Sequence, residues 1–140
     1  MKKELTLALL FLGLSMLFSS CQKDPEPFLS MGSQTIYEFS AQGGIQTLTF
    51  YTNRDWMIVP DLGSSWPSWI DCSPRYGAGS EGPITITLHC FANAESRQRT
   101  STVFILAGKN LEVEYDDDFC VIGSRFELSE FIRIWQEGSE

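Results

Sequence analysis

Few side chains in this chain of 140 residues are of a type and spacing that could do chemistry. His89 is the only histidine, and it shares a face with Thr85 and Thr87 in an alternating segment. A surface imidazole is the favoured reading there. No nucleophile elbow, zinc-ligand spacing or phosphate-binding glycine loop occurs. Asp55, Asp61 and Asp71 lie near turns, but paired carboxylates hydrolyse glycosides only across a cleft, and nothing in the sequence brings two of them together. An enzyme is not expected, and neither is a metal or an organic cofactor. The run Glu112-Val113-Glu114-Tyr115-Asp116-Asp117-Asp118 offers oxygen ligands for Ca²⁺ but lacks the Asp/Asn and Gly spacing of an EF-hand loop. A solvated, charged edge that discourages strand-to-strand aggregation is favoured.

Sugar recognition asks for different parts: exposed aromatic platforms beside polar side chains. Trp66, Trp69 and Tyr76 are the candidate carbohydrate-binding residues, with Asp61, Ser64, Asp71 and Arg75 nearby in sequence. For Trp66, capping one end of the core is an equally good structural role. Trp56 has the parity of a core residue.

The elements that must position these rings repeat with period two, the signature of half-buried strands. Tyr37, Phe39 and Ala41 share one face; Leu48 and Phe50 oppose Thr47, Thr49 and Tyr51; Trp56 pairs in parity with Ile58. Gly43-Gly44 and Asn53-Arg54-Asp55 read as turns between these strands. Further strands follow at 69–72, 84–90, 99–107 and 131–136, with glycine- and proline-rich loops over 60–68 and 73–82. This pattern predicts an all-β, immunoglobulin-like antiparallel β-sandwich. Parity also makes one outer face apolar: Met57 and Val59, Phe104 and Leu106, and Phe131 and Trp135 all point away from the core. A monomer rarely leaves such a patch bare. The segment 108–128 is the favoured cover, supplying Leu111, Val113, Tyr115, Phe119, Val121, Phe126 and Leu128.

The start of the chain reads as an address. Lys2-Lys3 precede an apolar run, Leu5 to Phe18, too short to span a bilayer as a helix. Leu17-Phe18-Ser19-Ser20-Cys21 resembles a bacterial lipobox, which implies a signal peptide over 1–20 and lipidation of Cys21. Residues 21–32, rich in proline and charge, read as a tether. Gln22-Lys23-Asp24-Pro25-Glu26 resembles the export signal of surface lipoproteins of the Bacteroidetes type, which implies an outer-membrane, surface-exposed location. Removing Lys2, Lys3 and Glu4 takes the 10 basic and 18 acidic side chains to 8 and 17, net −9. Nucleic acid is excluded as a partner on that charge, and contact with membrane is by the lipid anchor alone. Cys72, Cys90 and Cys120 then remain, so at most one disulfide forms within the chain, by any of three pairings.

One ordered set of motifs is more specific. Phe39-Ser40-Ala41-x-Gly43-Gly44, Thr47-x-Thr49-x-x-Thr52-Asn53-x-x-Trp56, Trp69-Ile70, Arg99-Thr100-x-Thr102-x-x-Ile105 and Ile132-x-Ile134-x-Gln136-Glu137-Gly138 together resemble a BACON domain, a Bacteroidetes-associated carbohydrate-binding module, over residues 33–138. The resemblance implies an immunoglobulin-like sandwich in a secreted or surface lipoprotein. About 20 residues at 108–128 are extra to that pattern, longer than an ordinary hairpin connection. The reading that follows is a non-catalytic surface lipoprotein that binds glycan, mucin or dietary polysaccharide, through Trp66, Trp69 and Tyr76. The alternative is a protein-interaction or structural module that uses the apolar outer sheet face.

Overall fold

The computed structural model describes residues 23–140; the expected signal peptide over 1–20 and Cys21 lie outside the described residues. Eleven strands follow one another: β1 (Leu29–Met31), β2 (Ile36–Phe39), β3 (Gly44–Thr52), β4 (Trp56–Pro60), β5 (Ile70–Ser73), β6 (Tyr76–Gly77), β7 (Ile84–Cys90), β8 (Arg99–Ala107), β9 (Glu112–Tyr115), β10 (Val121–Arg125) and β11 (Leu128–Gln136). The protein is an immunoglobulin-like β-sandwich. One sheet has the order β1-β3-β7-β5, the other β2-β11-β8-β4-β6, and β9 and β10 form a separate hairpin. All pairings are antiparallel except β2 with β11, which is parallel.

The strands expected at 37–60 form, but neither turn between them makes a hairpin. β2 and β4 belong to one sheet and β3 to the other, so both turns are corners where the chain changes sheets. Gly43 makes the first corner possible. Its φ is +78°, its N–H donates to the Ser40 carbonyl at 3.0 Å, and a Cβ there would lie 2.1 Å from the Cys90 carbonyl oxygen.

Between the sheets lies a core that includes Tyr37, Leu48, Phe50, Trp56, Ile58, Ile86, Ile105 and Ile134. Trp56 meets Phe50 edge-on, with centroids 5.2 Å apart, and its indole N–H donates to the Ala78 carbonyl at 3.1 Å. Gln136 is fully buried at one end of this core. Its Nε2 donates to the carbonyls of Phe91 at 2.8 Å and Ser40 at 3.1 Å, and its Oε1 accepts from Arg99 Nε at 2.8 Å. One amide thus ties the end of β11 to the β2–β3 corner and to the start of β8.

The expected tether over 21–32 is shorter than the sequence implied. Leu29 and Met31 pack against the core, and β1 pairs with β3. Just before it, Arg54 Nη2 donates to the Pro25 carbonyl at 2.9 Å and Asn53 Nδ2 to that of Glu26 at 2.8 Å. The sandwich therefore begins at β1 rather than at residue 33. Three short residues in alternation are too few to stand out in sequence, and it is the pairing with β3 that makes them a strand.

The inserted segment covers part of the outer face, as its composition suggested. Val59, Leu106 and Val121 form a second buried cluster, flanked by Met57, Phe104, Leu111 and Val113. The remaining expected cover residues go elsewhere. Leu128 packs on the main core, while Tyr115, Phe119 and Phe126 are exposed. Two backbone hydrogen bonds fasten the hairpin to the loop after β4, from Gly63 N–H to the Val121 carbonyl at 2.7 Å and from Val121 N–H to the Ser64 carbonyl at 3.0 Å. Val121→Asp would bury a charge with no partner, at a cost of several kcal/mol if it stayed in place. Hydrogen exchange is expected to accelerate at least tenfold over residues 111–125, while amides of β3, β7 and β8 keep their protection.

Candidate functional site

A cleft of about 640 Å³ opens between β6, the loop after β4 and the tip of the β9–β10 hairpin. Its aromatic lining is Trp66, Tyr76, Tyr115 and Phe119, with Met57 among the rest of the wall and Arg75 and Asp118 as the charged groups. That size is ordinary for a small-molecule or oligosaccharide site. Tyr76 and Phe119 are 73% and 76% exposed, so neither ring owes its position to core burial.

Each wall has a local cause. Tyr76 lies on a two-residue strand that pairs Tyr76 with Met57 and Gly77 with Trp56. Gly77 passes over the Trp56 indole, where a Cβ would come within 2.7 Å of the ring. Phe119 sits at the hairpin tip with φ +59°, a left-handed conformation that costs a bulky residue about 1 kcal/mol or more. Asp116 holds it there. Its Oδ1 accepts from the N–H of Asp118 at 3.0 Å and of Cys120 at 2.9 Å, and its carbonyl accepts from Phe119 N–H at 3.1 Å. Part of the acidic run thus builds a turn. Glu112, at the other end of the hairpin, lies 3.6 Å from Arg125. Among the described residues no group of three His, Cys, Asp or Glu is placed to hold a metal ion.

Of the three aromatic residues singled out in sequence, the fold brings two together. Trp66 and Tyr76 share the cleft. Trp66 is also packed against the core, and the Arg75 guanidinium lies over its ring at 4.2 Å, held by Asp71 Oδ1 at 2.7 Å. Its ring faces are therefore engaged within the protein, and it serves the cleft as a wall more than as a free platform. Trp69 does not line the cleft. It packs against the core with Arg99 over its ring at 4.7 Å, and its carbonyl accepts from Phe91 N–H. Tyr115 and Phe119 were missed as site residues because the sequence assigned them to covering the sheet; the signal against that was the aspartate run between them, which makes a tight, solvated turn. His89 stands opposite Ile45 and Asp71 on the neighbouring strands and 4.3 Å from the Phe91 ring.

Among the described residues, Cys72, Cys90 and Cys120 are all free, so the one disulfide allowed for is not formed. Cys72 pairs in register with Leu88, so Cys90, two residues on, is its diagonal neighbour. Diagonal positions are about 7–8 Å apart, beyond the span of a disulfide. Burial pushes the Cys72 thiol up from 9.0 to about 11, against a smaller opposing effect of Arg75, and burial raises Cys90 as well.

No family model matches this chain, and no curated protein matches it. Its fold does have relatives among solved structures. A Bacteroides ovatus GH5 xyloglucanase, solved with a XXXG heptasaccharide, is 20% identical with a TM-score of 0.54; the match covers 80% of this chain and 19% of that one, so this chain corresponds to about a fifth of that enzyme. The ASH / PapD-like domain 7 of human CEP192 is 10% identical with a TM-score of 0.53, covering 87% of this chain and 92% of that one. A chaperone–tip adhesin complex of CFA/I fimbriae biogenesis matches at 14% identity and a TM-score of 0.53, over 81% of this chain and 57% of that one. These similarities concern the fold alone.

The cysteine environment predicts an alkaline limit to stability. A thiol whose folded pKa is raised contributes its full stability below pH 9 and loses it as pH rises through about 11. For Cys72 the loss is roughly 2 kcal/mol by that point. Urea unfolding at about pH 8 and about pH 10.5 should show this loss, and Cys72→Val should reduce it. An unchanged pH dependence in the variant would remove Cys72 as its cause.

Proposed function

We propose that this chain is a non-catalytic glycan-binding module of BACON type, held at the outer-membrane surface by a lipid on Cys21. The observation that carries the reading is the cleft, in which two largely exposed rings, Tyr76 and Phe119, come from different elements and stand with Arg75 and Asp118. Exposed rings offer their faces to the C–H groups of a pyranose, and the ion-bearing side chains offer a donor and an acceptor to its hydroxyls. Phe119 stands outward from a left-handed turn position. The ligand class is mucin or dietary polysaccharide. The lipid anchor rests on the lipobox-like leader and the charged segment behind it.

Isothermal titration of the full chain with the XXXG heptasaccharide and with mucin oligosaccharides tests the cleft. Tyr76→Ala and Phe119→Ala should each weaken binding about tenfold and leave the unfolding free energy within about 0.5 kcal/mol of the parent. Binding that survives both substitutions unchanged would refute the cleft. Cys21→Ser should abolish incorporation of labelled palmitate and release the chain from membranes.

A second reading, a protein-interaction module, is favoured by one observation. Phe131 is 51% exposed on the outer sheet face, 6.1 Å from the Phe104 ring, beyond the part that the hairpin covers. On that reading Phe131→Ser lowers capture of a protein partner and leaves sugar binding intact.

A further inference from the structure

The hairpin stops short of the far end of the sheet, and a second hollow lies there. It measures about 890 Å³ and is floored by Thr100, Thr102, Arg133 and Trp135 of β8 and β11, with Asp61 and Gln98 at its sides. It is separated from the aromatic cleft by the loop 61–67, which is fastened to Val121 and contributes Ser65 to both hollows.

Trp135 differs from the other three tryptophans. Trp56 is in the core, and Trp66 and Trp69 are packed on the core and lie under Arg75 and Arg99. Among the described residues Trp135 belongs to neither hydrophobic cluster and lies under no guanidinium, and its strand neighbours are Thr100 on β8 and Glu38 on β2. It is a large apolar ring, half-buried, in a hollow whose surroundings are otherwise mostly hydroxyl, amide and charged groups. Arg133, two residues away on the same face, makes no ion pair among the described residues. Asp61 uses one oxygen to accept from Leu62 N–H at 2.8 Å, which leaves the other available.

We propose that this hollow is a second, independent oligosaccharide site, with Trp135 as the stacking platform and Arg133 and Asp61 as the hydrogen-bonding pair. The mixture of groups selects the ligand class. A pyranose presents an apolar C–H face for the indole and hydroxyls that both donate and accept, so it uses the arginine, the carboxylate and the threonines together. A polyanion would meet Asp61 and a chain of net charge −8, and an aliphatic ligand would leave the polar floor unpaired. The proposal rests on the reading of this chain as a glycan-binding module, but not on the aromatic cleft.

The test is nuclear magnetic resonance of the ¹⁵N-labelled full chain, titrated separately with cellohexaose, xylohexaose and mannohexaose. The indole N–H of Trp135, assigned through Trp135→Phe, should shift saturably with at least one of them, and the Trp56 indole should stay still. The response should persist in the Tyr76→Ala, Phe119→Ala double variant. Arg133→Gln, an exposed change that spares the fold, should weaken it several-fold. Shifts confined to Tyr76 and Arg75 with Trp135 silent would overturn the second site and leave the cleft standing. Shifts at Trp135 alone would support it and remove the cleft. Silence at both positions with all three sugars would overturn both.

Discussion

The structure turns on the two-sided burial of β4 and β8. Ile58 and Ile105 face the space between the sheets, while Val59 and Leu106, their immediate neighbours in sequence, face outward and are equally dry. A sandwich strand normally alternates apolar with polar because one side meets water. Here the outer side needs a second layer, and the β9–β10 hairpin is that layer. Each buried side chain of this size contributes about 1.5–3 kcal/mol relative to exposure. The outer cluster is small but large enough to hold a hairpin that would be marginal alone.

Both hollows are consequences of how that cover is built. The hairpin is shorter than the sheet, so the end bearing Trp135 is left open. Its tip projects past β4, so Tyr115 and Phe119 reach the level of Tyr76 and complete the cleft. The aspartates at the tip shape that turn through Asp116 and keep it solvated. The same segment thereby closes an apolar face and lines both hollows, and the fastening of Val121 to the loop 61–67 fixes the wall between the two.

At the opposite end of the hairpin the structure is tied down by charge. Arg54 is nearly buried, with its Nε 2.9 Å from Glu127, where the hairpin rejoins β11, and its Nη2 on the Pro25 carbonyl. Lys109 reaches Asp24, whose carboxyl it holds below the usual carboxylate range by hydrogen bond and charge. The segment leading into β1 therefore leaves the sandwich beside Asn53 and Lys109. Tyr76, Tyr115 and Phe119 stand together around the tip of the hairpin.

Alternation by itself determined most strands of the two sheets, the placement of Trp56 in the core and the apolar outer face, because side-chain period reports which positions are dry; it did not find β6, which lies in the stretch 73–82 read as a loop and is a strand only through its pairing with β4, nor the β9–β10 hairpin inside the insertion. It also pointed to the inserted segment as the cover, since that accounts for the apolar face and the insertion together. It did not determine which strands pair. The corners at Gly43 and Asn53 send successive strands to different sheets, and β1 is a strand only because β3 lies beside it. Nor did it determine which aromatics are free. Parity put Trp135 on the outer face, but only the fold brings Arg75 and Arg99 over Trp66 and Trp69. Ring exposure depends on neighbours far away in sequence, and those neighbours are assigned by sheet topology, which local period does not encode.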